Sequence, residues 1–424
     1  MGRKRASERE WEPSVTYLSY ASSQNGIRNY DFENRGAERP ILQAMNEFSA
    51  NSSHEALGSG YLCLVITSTT NEEINSMPDI SSINGNKIGQ DALQQIHGLL
   101  RNFFQQQINI FCNESLMIFD DFEKPIKLDL KIPDFNLLNF FTDLREVLTF
   151  KLYTKESGDE FHILRVNNQT ALKESNFNNE RHTYIITHGF ATSSDGPSCT
   201  LVRYALQNTT DSNIITVNWS PLANGFYEVA RLFVPRVGKY IGKLINILYK
   251  NGMKPEATTL IGHSLGAHVM GIAGQTLNEK VNHTIGLDPA WPLFFAVSAN
   301  DRLSPDDALH VEVIHTDAGL LGYPFNLGLY DFYPNGGFLQ PGCHNDFFSA
   351  CSHGRSYRYL AEQISNPGPD FCSLNCISYL QFIEKKCTNE TTFMGGIRSY
   401  PANQGTYYLK TNDTEPFGLR TQCA

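Results

Sequence analysis

The sequence predicts an α/β fold, a mostly parallel central sheet covered by helices on both faces. Three observations predict it. From Phe150 onward, short runs rich in β-branched residues alternate with stretches of helical spacing. The runs are apolar along their length, as in strands buried on both sides. One of them, "TTLIGHS", passes through a glycine-framed turn into the small-residue helix "AHVMGIAG".

Each element follows in order. Residues 1–135 stand apart, being rich in Asn, Ser, Gln and Glu and lacking a strand–helix rhythm. Within them, Tyr61–Thr67 suits a strand and Asp91–Gln107 a helix. The segment reads as a leader or pro-segment without assigned function, and 136–424 as the α/β domain. "FKLYTK" (150–155) and "FHILRV" (161–166) are strands, followed by "TYIITHGF" (183–190) and "NIITVNWS" (213–220). Residues 227–252 have helical spacing and end on Gly252, with Pro235 marking a break or kink. "TTLIGHS" (258–264), "HTIGLDPA" (283–290) and "ALHVEVIHTD" (308–317) complete the predicted strands.

Composition narrows the class. In 424 residues, 41% apolar and 12% aromatic content supports a sizeable core. A net charge of −10 without a long basic run argues against nucleic acid as a partner. No apolar stretch reaches the length of a membrane span. Nine cysteines, six of them from Cys343 onward, show no zinc-type pairs. Asn-x-Ser/Thr sequons occur at Asn51, Asn113, Asn168, Asn208, Asn218, Asn282, Asn389 and Asn412. Together they point to an oxidising secretory route and a secreted, extracellular protein. Asn218 falls in a strand, where a glycan is not expected. The opening "MGRKRASEREWEPSV" has basic residues but no apolar stretch after them, so it is not a recognisable signal peptide.

"GHSLG" (262–266) places Ser264 between two glycines, after a strand and before a helix. This is the pattern of a nucleophile elbow. Strand and helix approach too closely for side chains at Gly262 and Gly266, and the serine hydroxyl is pushed out of the turn. A serine needs a base to take its proton, and the base needs an acid to orient it. In this order of elements the acid and then the histidine follow the serine. Asp288 in "GLDPAW" is the preferred acid, with Asp317 one strand later as its competitor. His353 in "CSHGRS", on a loop near the end of the sheet, is the preferred base, with His344 as competitor. His268, His310 and His315 are read as structural. The oxyanion requires backbone donors. Leu265, next to the nucleophile, and Phe190 in "THGF" (187–190) are placed to give them, with His188 bracing the loop. This chemistry requires no cofactor and no metal.

The ordered motifs "THGF", "VNWS", "IGHSLGAHVMGIAG", "GLDPAWPLF", "RLSPDDA", "VIHTD", "DFYPNGG", "QPGC" and "CSHGRS" resemble those of the pancreatic lipase-like family over about residues 145–410. The resemblance implies an α/β-hydrolase fold, carboxylic ester hydrolysis on lipids, and the triad Ser264, Asp288 and His353. It implies disulfides Cys343–Cys351 and Cys376–Cys387; Cys112–Cys199 and Cys372–Cys423 are further guesses. "ANDRLSPDDA" resembles the family's calcium loop, with backbone oxygens of Ala299 and Arg302 and side chains of Ser304 and Asp307. An ordinary loop kept by packing is the alternative.

Two departures point within the family. Only seven residues, "HNDFFSA", lie between Cys343 and Cys351, too few for a long lid. The facing loop has 13 residues between Asp317 and Asp331. Both resemble the insect and venom phospholipase A1 members, whose open mouth admits a charged headgroup. Phe347 and Phe348 either dip into the lipid interface or anchor the loop. The stretch after His353 is too short for the C-terminal β-sandwich domain of vertebrate lipases. The expected activity is cleavage of the sn-1 acyl ester of phospholipids. The rivals are a neutral-lipid or triacylglycerol lipase and an inactive lipid-binding or yolk-type protein. The partner is a lipid at a lipid–water interface; oligomeric state is not legible.

Overall fold

The computed structural model describes residues 142–419, apart from 167, 295–296, 344–349, 389, 398–399 and 401–402, and the backbone of two earlier strands. Those strands, β1 (Ser115–Phe119) and β2 (Pro125–Asp129), pair antiparallel. They lie inside the stretch whose composition predicts a leader. Five-residue runs in a polar background give too short a period to stand out. Tyr61–Thr67 and Asp91–Gln107 lie outside the described residues.

The remaining strands are β3 (Thr149–Tyr153), β4 (His162–Leu164), β5 (Thr183–Thr187), β6 (Asn213–Asn218), β7 (Thr258–His263), β8 (His283–Leu287), β9 (His310–Ile314), β10 (Tyr330–Pro334), β11 (Cys372–Asn375), β12 (Thr391–Phe393) and β13 (Gly405–Leu409). They form one eleven-stranded sheet in the order β12-β11-β13-β10-β9-β8-β7-β5-β6-β3-β4. From β6 across to β13 the pairs are parallel; β3 and β4 at one edge and β11 and β12 at the other are antiparallel. Every residue of β5, β7, β8 and β10 is buried, which is why these runs lack polar alternation. The strands after Pro334 add to the same sheet.

Four long helices cover the sheet: α1 (Pro197–Thr209), α2 (Tyr227–Lys250), α3 (Leu265–Gln275) and α4 (Ala350–Ser365). Cys199, Val202 and Leu206 of α1 share one core with Tyr357, Leu360 and Ile364 of α4 and with Tyr184, Ile186, Ile261 and Ile285 of the strands. The opposite face is left to α2 and α3, which pack on each other. Their approach is close: a Cβ at Gly238 of α2 would lie 2.7 Å from the Val269 carbonyl oxygen of α3. Of the expected break or kink at Pro235, the break does not occur: α2 continues through it. Val234, Val237, Ile241, Leu244 and Ile245 form one buried stripe across it, and packing carries the helix over the missing donor. Among the described residues, no helix is long and apolar enough to cross a membrane.

Candidate active site

Ser264 joins β7 to α3 with φ 57° and ψ −123°, a left-handed backbone that a non-glycine residue adopts only under constraint. The constraint is visible on both sides. A Cβ at Gly262 would lie 2.1 Å from the Gly266 carbonyl oxygen, and one at Gly266 would lie 2.5 Å from the His188 carbonyl oxygen. Only glycine lets the helix sit this close to β7 and β5. The strained turn is held by the Ser264 N–H, which donates to the Leu287 carbonyl at 3.0 Å.

The next strand continues the pattern. Asp288 follows β8 directly, and its N–H donates to the Ile314 carbonyl at 2.8 Å. Its carboxylate is fully buried. Oδ1 accepts the N–H groups of Thr316 at 2.8 Å and Asp317 at 3.1 Å. Oδ2 accepts from Nδ1 of His353 at 2.5 Å. Three donors therefore fix the carboxylate, two of them from the end of β9. Gly322 allows the loop beyond β9 to close over it, since a Cβ there would lie 2.4 Å from Oδ1.

His353 departs from expectation. It lies in the first turn of α4, not on a loop. Gly354 and the Cys and Ser residues beside it are weak helix formers that hide the period of Tyr357, Leu360 and Ile364. Its carbonyl accepts from Ser356 Oγ at 3.0 Å, and the disulfide Cys343–Cys351 ties down the helix start two residues earlier. The imidazole packs against the ring of His263 at 4.5 Å, and His263 packs edge-on against Tyr357. His263, the variable residue of the elbow motif, is thus a support for His353 that the sequence did not signal. Ser264 and His353 are only 8% and 9% exposed.

The "THGF" loop closes against the same point. A Cβ at Gly189 would lie 2.7 Å from Cβ of Ser264. His188 is fully buried; its Nδ1 bonds the Gly189 carbonyl at 2.9 Å, and its Nε2 accepts the Trp219 N–H at 3.1 Å. The Trp219 indole donates to the His188 carbonyl at 3.0 Å, and the two rings stack. The expected brace is therefore a neutral imidazole with a defined tautomer. Ala191 turns with φ 57° and donates to the Ala223 carbonyl. Among the described residues, neither Phe190 nor Leu265 donates its N–H to a partner.

The competing residues separate clearly. Asp317 takes the Leu321 N–H on Oδ2 and gives its own N–H to Asp288, while Asp288 holds the histidine. The ligating atoms of Asp288, Asp317 and His353 nevertheless lie within 4.8 Å of one another. His315 bonds Asp331 at 2.8 Å, and His310 bonds the Tyr330 hydroxyl at 3.1 Å. His268 bonds the Ala290 carbonyl through Nε2 and accepts the Leu303 N–H on Nδ1. His344, Phe347 and Phe348 lie outside the described residues. Cys343–Cys351 and Cys376–Cys387 are bonded as the resemblance implies. Cys372 is disulfide-bonded, Cys199 is buried, and Cys112 and Cys423 lie outside the described residues.

A parallel sheet with a strained serine at one strand end and a histidine–aspartate pair at the neighbouring one defines an α/β-hydrolase. The chain belongs to the lipase family, whose sequence pattern matches residues 113–417, from before the expected domain boundary. It is similar to the pancreatic triacylglycerol lipase of Cavia porcellus, 32% identical over 300 residues, covering 63% of this chain and 64% of the relative. The pancreatic lipase-related protein 2 of Myocastor coypus matches to the same extent, 32% over 300 residues, 63% and 64%. The inactive pancreatic lipase-related protein 1 of Homo sapiens is 36% identical over 261 residues, 56% of each chain. The chain thus spans less than two-thirds of the length of these relatives.

Proposed function

We propose that the chain is a secreted serine hydrolase of lipid carboxylic esters, with residues 136–424 as its catalytic domain. The observation that carries this reading is the His353–Asp288 bond beside the strained Ser264. In the proposed cycle, Ser264 Oγ attacks the ester carbonyl as Nε2 of His353 takes its proton. Asp288 keeps the imidazole in the required tautomer and stabilises its charged form. The N–H groups of Phe190 and Leu265 hold the tetrahedral oxyanion. Collapse expels the alkoxide, which takes the proton from His353. Water, deprotonated by the same histidine, then attacks the acyl-serine and releases the fatty acid.

Within that class we propose the sn-1 ester of phospholipids as substrate. The Cys343–Cys351 disulfide encloses only seven residues, which leaves a charged headgroup room that a long greasy lid would deny it. Leu320 and Phe325, both 46% exposed, and Phe226, 42% exposed, lie in loops that follow carboxyl ends of parallel strands. They supply an apolar rim for a lipid surface. A second reading, triacylglycerol hydrolysis, is favoured by the name of the Cavia porcellus relative. Phosphatidylcholine and triolein, presented side by side, decide between them. Release of a 2-acyl lysolipid is the expected outcome; triolein turnover with phosphatidylcholine intact rejects the phospholipid reading. The name of the human relative calls that protein inactive, which makes a catalytically dead chain the reading to exclude. Hydrolysis lost in Ser264→Ala excludes it.

A further inference from the structure

The loop from Ala299 to Asp307 resembles a calcium loop. A cation there would take the carbonyl oxygens of Ala299 and Arg302 and the side chains of Ser304 and Asp307. Those oxygens already have partners. Nε2 of Gln275, the last residue of α3, donates to the Ala299 carbonyl at 3.1 Å and to the Arg302 carbonyl at 3.3 Å. Asp307 accepts the Ser304 N–H on Oδ2 and the Ser304 hydroxyl on Oδ1, both at 2.7 Å.

Charge agrees with geometry. Calcium affinity rises with the number of anionic ligands. This set offers one carboxylate, one hydroxyl and two carbonyls, and the Arg302 guanidinium adds positive charge beside the carboxylate. An amide needs no anion: its two hydrogens match two convergent carbonyl oxygens. The residues therefore do not fit a divalent cation well, and they do fit a carboxamide.

We propose that the Gln275 carboxamide takes the place of a divalent cation, cross-linking the Ala299 and Arg302 carbonyls and closing this loop without metal. The clamp joins the loop to the helix that starts at Ser264. Asp307 lies against that helix, where a Cβ at Gly271 would be 2.5 Å from its Oδ2 and one at Gly274 would be 2.2 Å from its carbonyl oxygen. His268, on the same helix, holds the Leu303 N–H and the Ala290 carbonyl. Gln275 is thus a positioning residue for the far end of the nucleophile helix, whatever ester the enzyme cleaves.

The test is thermal melting of the full chain in calcium and in EDTA. The wild-type Tm is expected to be the same in both. Gln275→Leu keeps the side-chain bulk but removes the donors, and is expected to lower Tm by about 2–4 °C in EDTA. Gln275→Glu replaces the donors with an anion. Its Tm is expected to fall in EDTA and to recover in calcium, which binds the native state. Two results overturn the proposal: a calcium-dependent rise in wild-type Tm that Asp307→Asn removes, or a Gln275→Leu protein that melts in EDTA at the wild-type temperature.

Discussion

Trp219 holds His188 from two sides, giving its backbone N–H to Nε2 and its indole N–H to the His188 carbonyl. The tryptophan is fully buried at the end of β6, so the position of the "THGF" loop is set by a neighbouring strand. Trp219→Phe keeps most of the packing but loses the indole donor. If Phe190 supplies an oxyanion N–H, a loop so loosened is expected to lose up to about 10²–10³-fold in kcat, the loss typical of a missing oxyanion donor. Steady-state kinetics on a soluble short-chain ester checks this; a fall confined to KM would mean that the loop binds substrate only.

Asp288→Asn separates orientation from architecture. The asparagine Oδ1 still accepts the Thr316 and Asp317 N–H groups, so Tm is expected to stay within a few degrees. Its amide nitrogen, however, would face Nδ1 of His353 as a donor. The proton then moves to Nε2, which can no longer take the Ser264 proton. A drop of about 10⁴-fold in kcat is expected. Near-wild-type kcat in a folded Asp288→Asn protein would leave Asp317 as the working acid.

Gly266→Ala tests the elbow's steric argument. The added methyl lies 2.5 Å from the His188 carbonyl oxygen and 2.9 Å from the Thr187 side chain. Relief requires moving α3 away from β5, at a cost of about 1–3 kcal/mol. Urea denaturation measures this, and an unchanged midpoint would show that the turn has slack. Activity is expected to fall as well, because the displaced strand end carries the "THGF" loop proposed to hold the oxyanion.

Burial of His268 pushes its pKa down to about 3, against an ordinary 6.5. Unfolding restores the ordinary value, so between these limits the unfolded chain binds a proton that the native chain does not. His268 therefore leaves stability intact above about pH 6.5 and costs stability progressively as pH falls toward 3. Urea midpoints measured through that window should decline more steeply in the wild type than in His268→Asn. Parallel slopes would mean that His268 is not buried neutral.

The sequons divide by geometry. Asn208 is exposed on α1 and Asn168 is exposed before a short helix. Asn282 is different, because its amide nitrogen donates to the Tyr400 hydroxyl at 2.7 Å. Protein from a secretory host is expected to carry glycans at Asn168 and Asn208 and none at Asn282 or Asn218. Site-by-site mass spectrometry after enzymatic deglycosylation gives the answer.

What was legible in the sequence follows from how locally each feature is determined. The strands around Ile185, Leu260 and Ile285 stood out because burial on both faces leaves an unbroken apolar run. The elbow stood out because its glycines answer a clash between residues four apart in the chain. The helix bearing His353 did not, since Gly354 and short polar residues occupy its first turn. The donors to Asp288 were hidden for another reason: Thr316 and Asp317 reach it only through the pairing of β8 with β9. His263 looked like a spacer between glycine and serine, and only the fold turns its ring onto His353. Gln275 could have been noticed as a donor at a helix end, but its two acceptors lie a loop away.

The four strands whose ends carry the candidate residues, β5, β7, β8 and β9, are consecutive and lie midway between the two edges of the sheet. Fraying starts at edges, where strands have one neighbour, and the antiparallel pairs β3–β4 and β11–β12 occupy both edges. Slow amide exchange should therefore be concentrated around Ile261, Ile285 and Ile314, in the last part of the protein to open. Partial unfolding at the β3–β4 border, the one away from the helix that carries His353, leaves the hydroxyl, the imidazole and the carboxylate aligned, so activity should outlast the first losses of order there as the protein is heated.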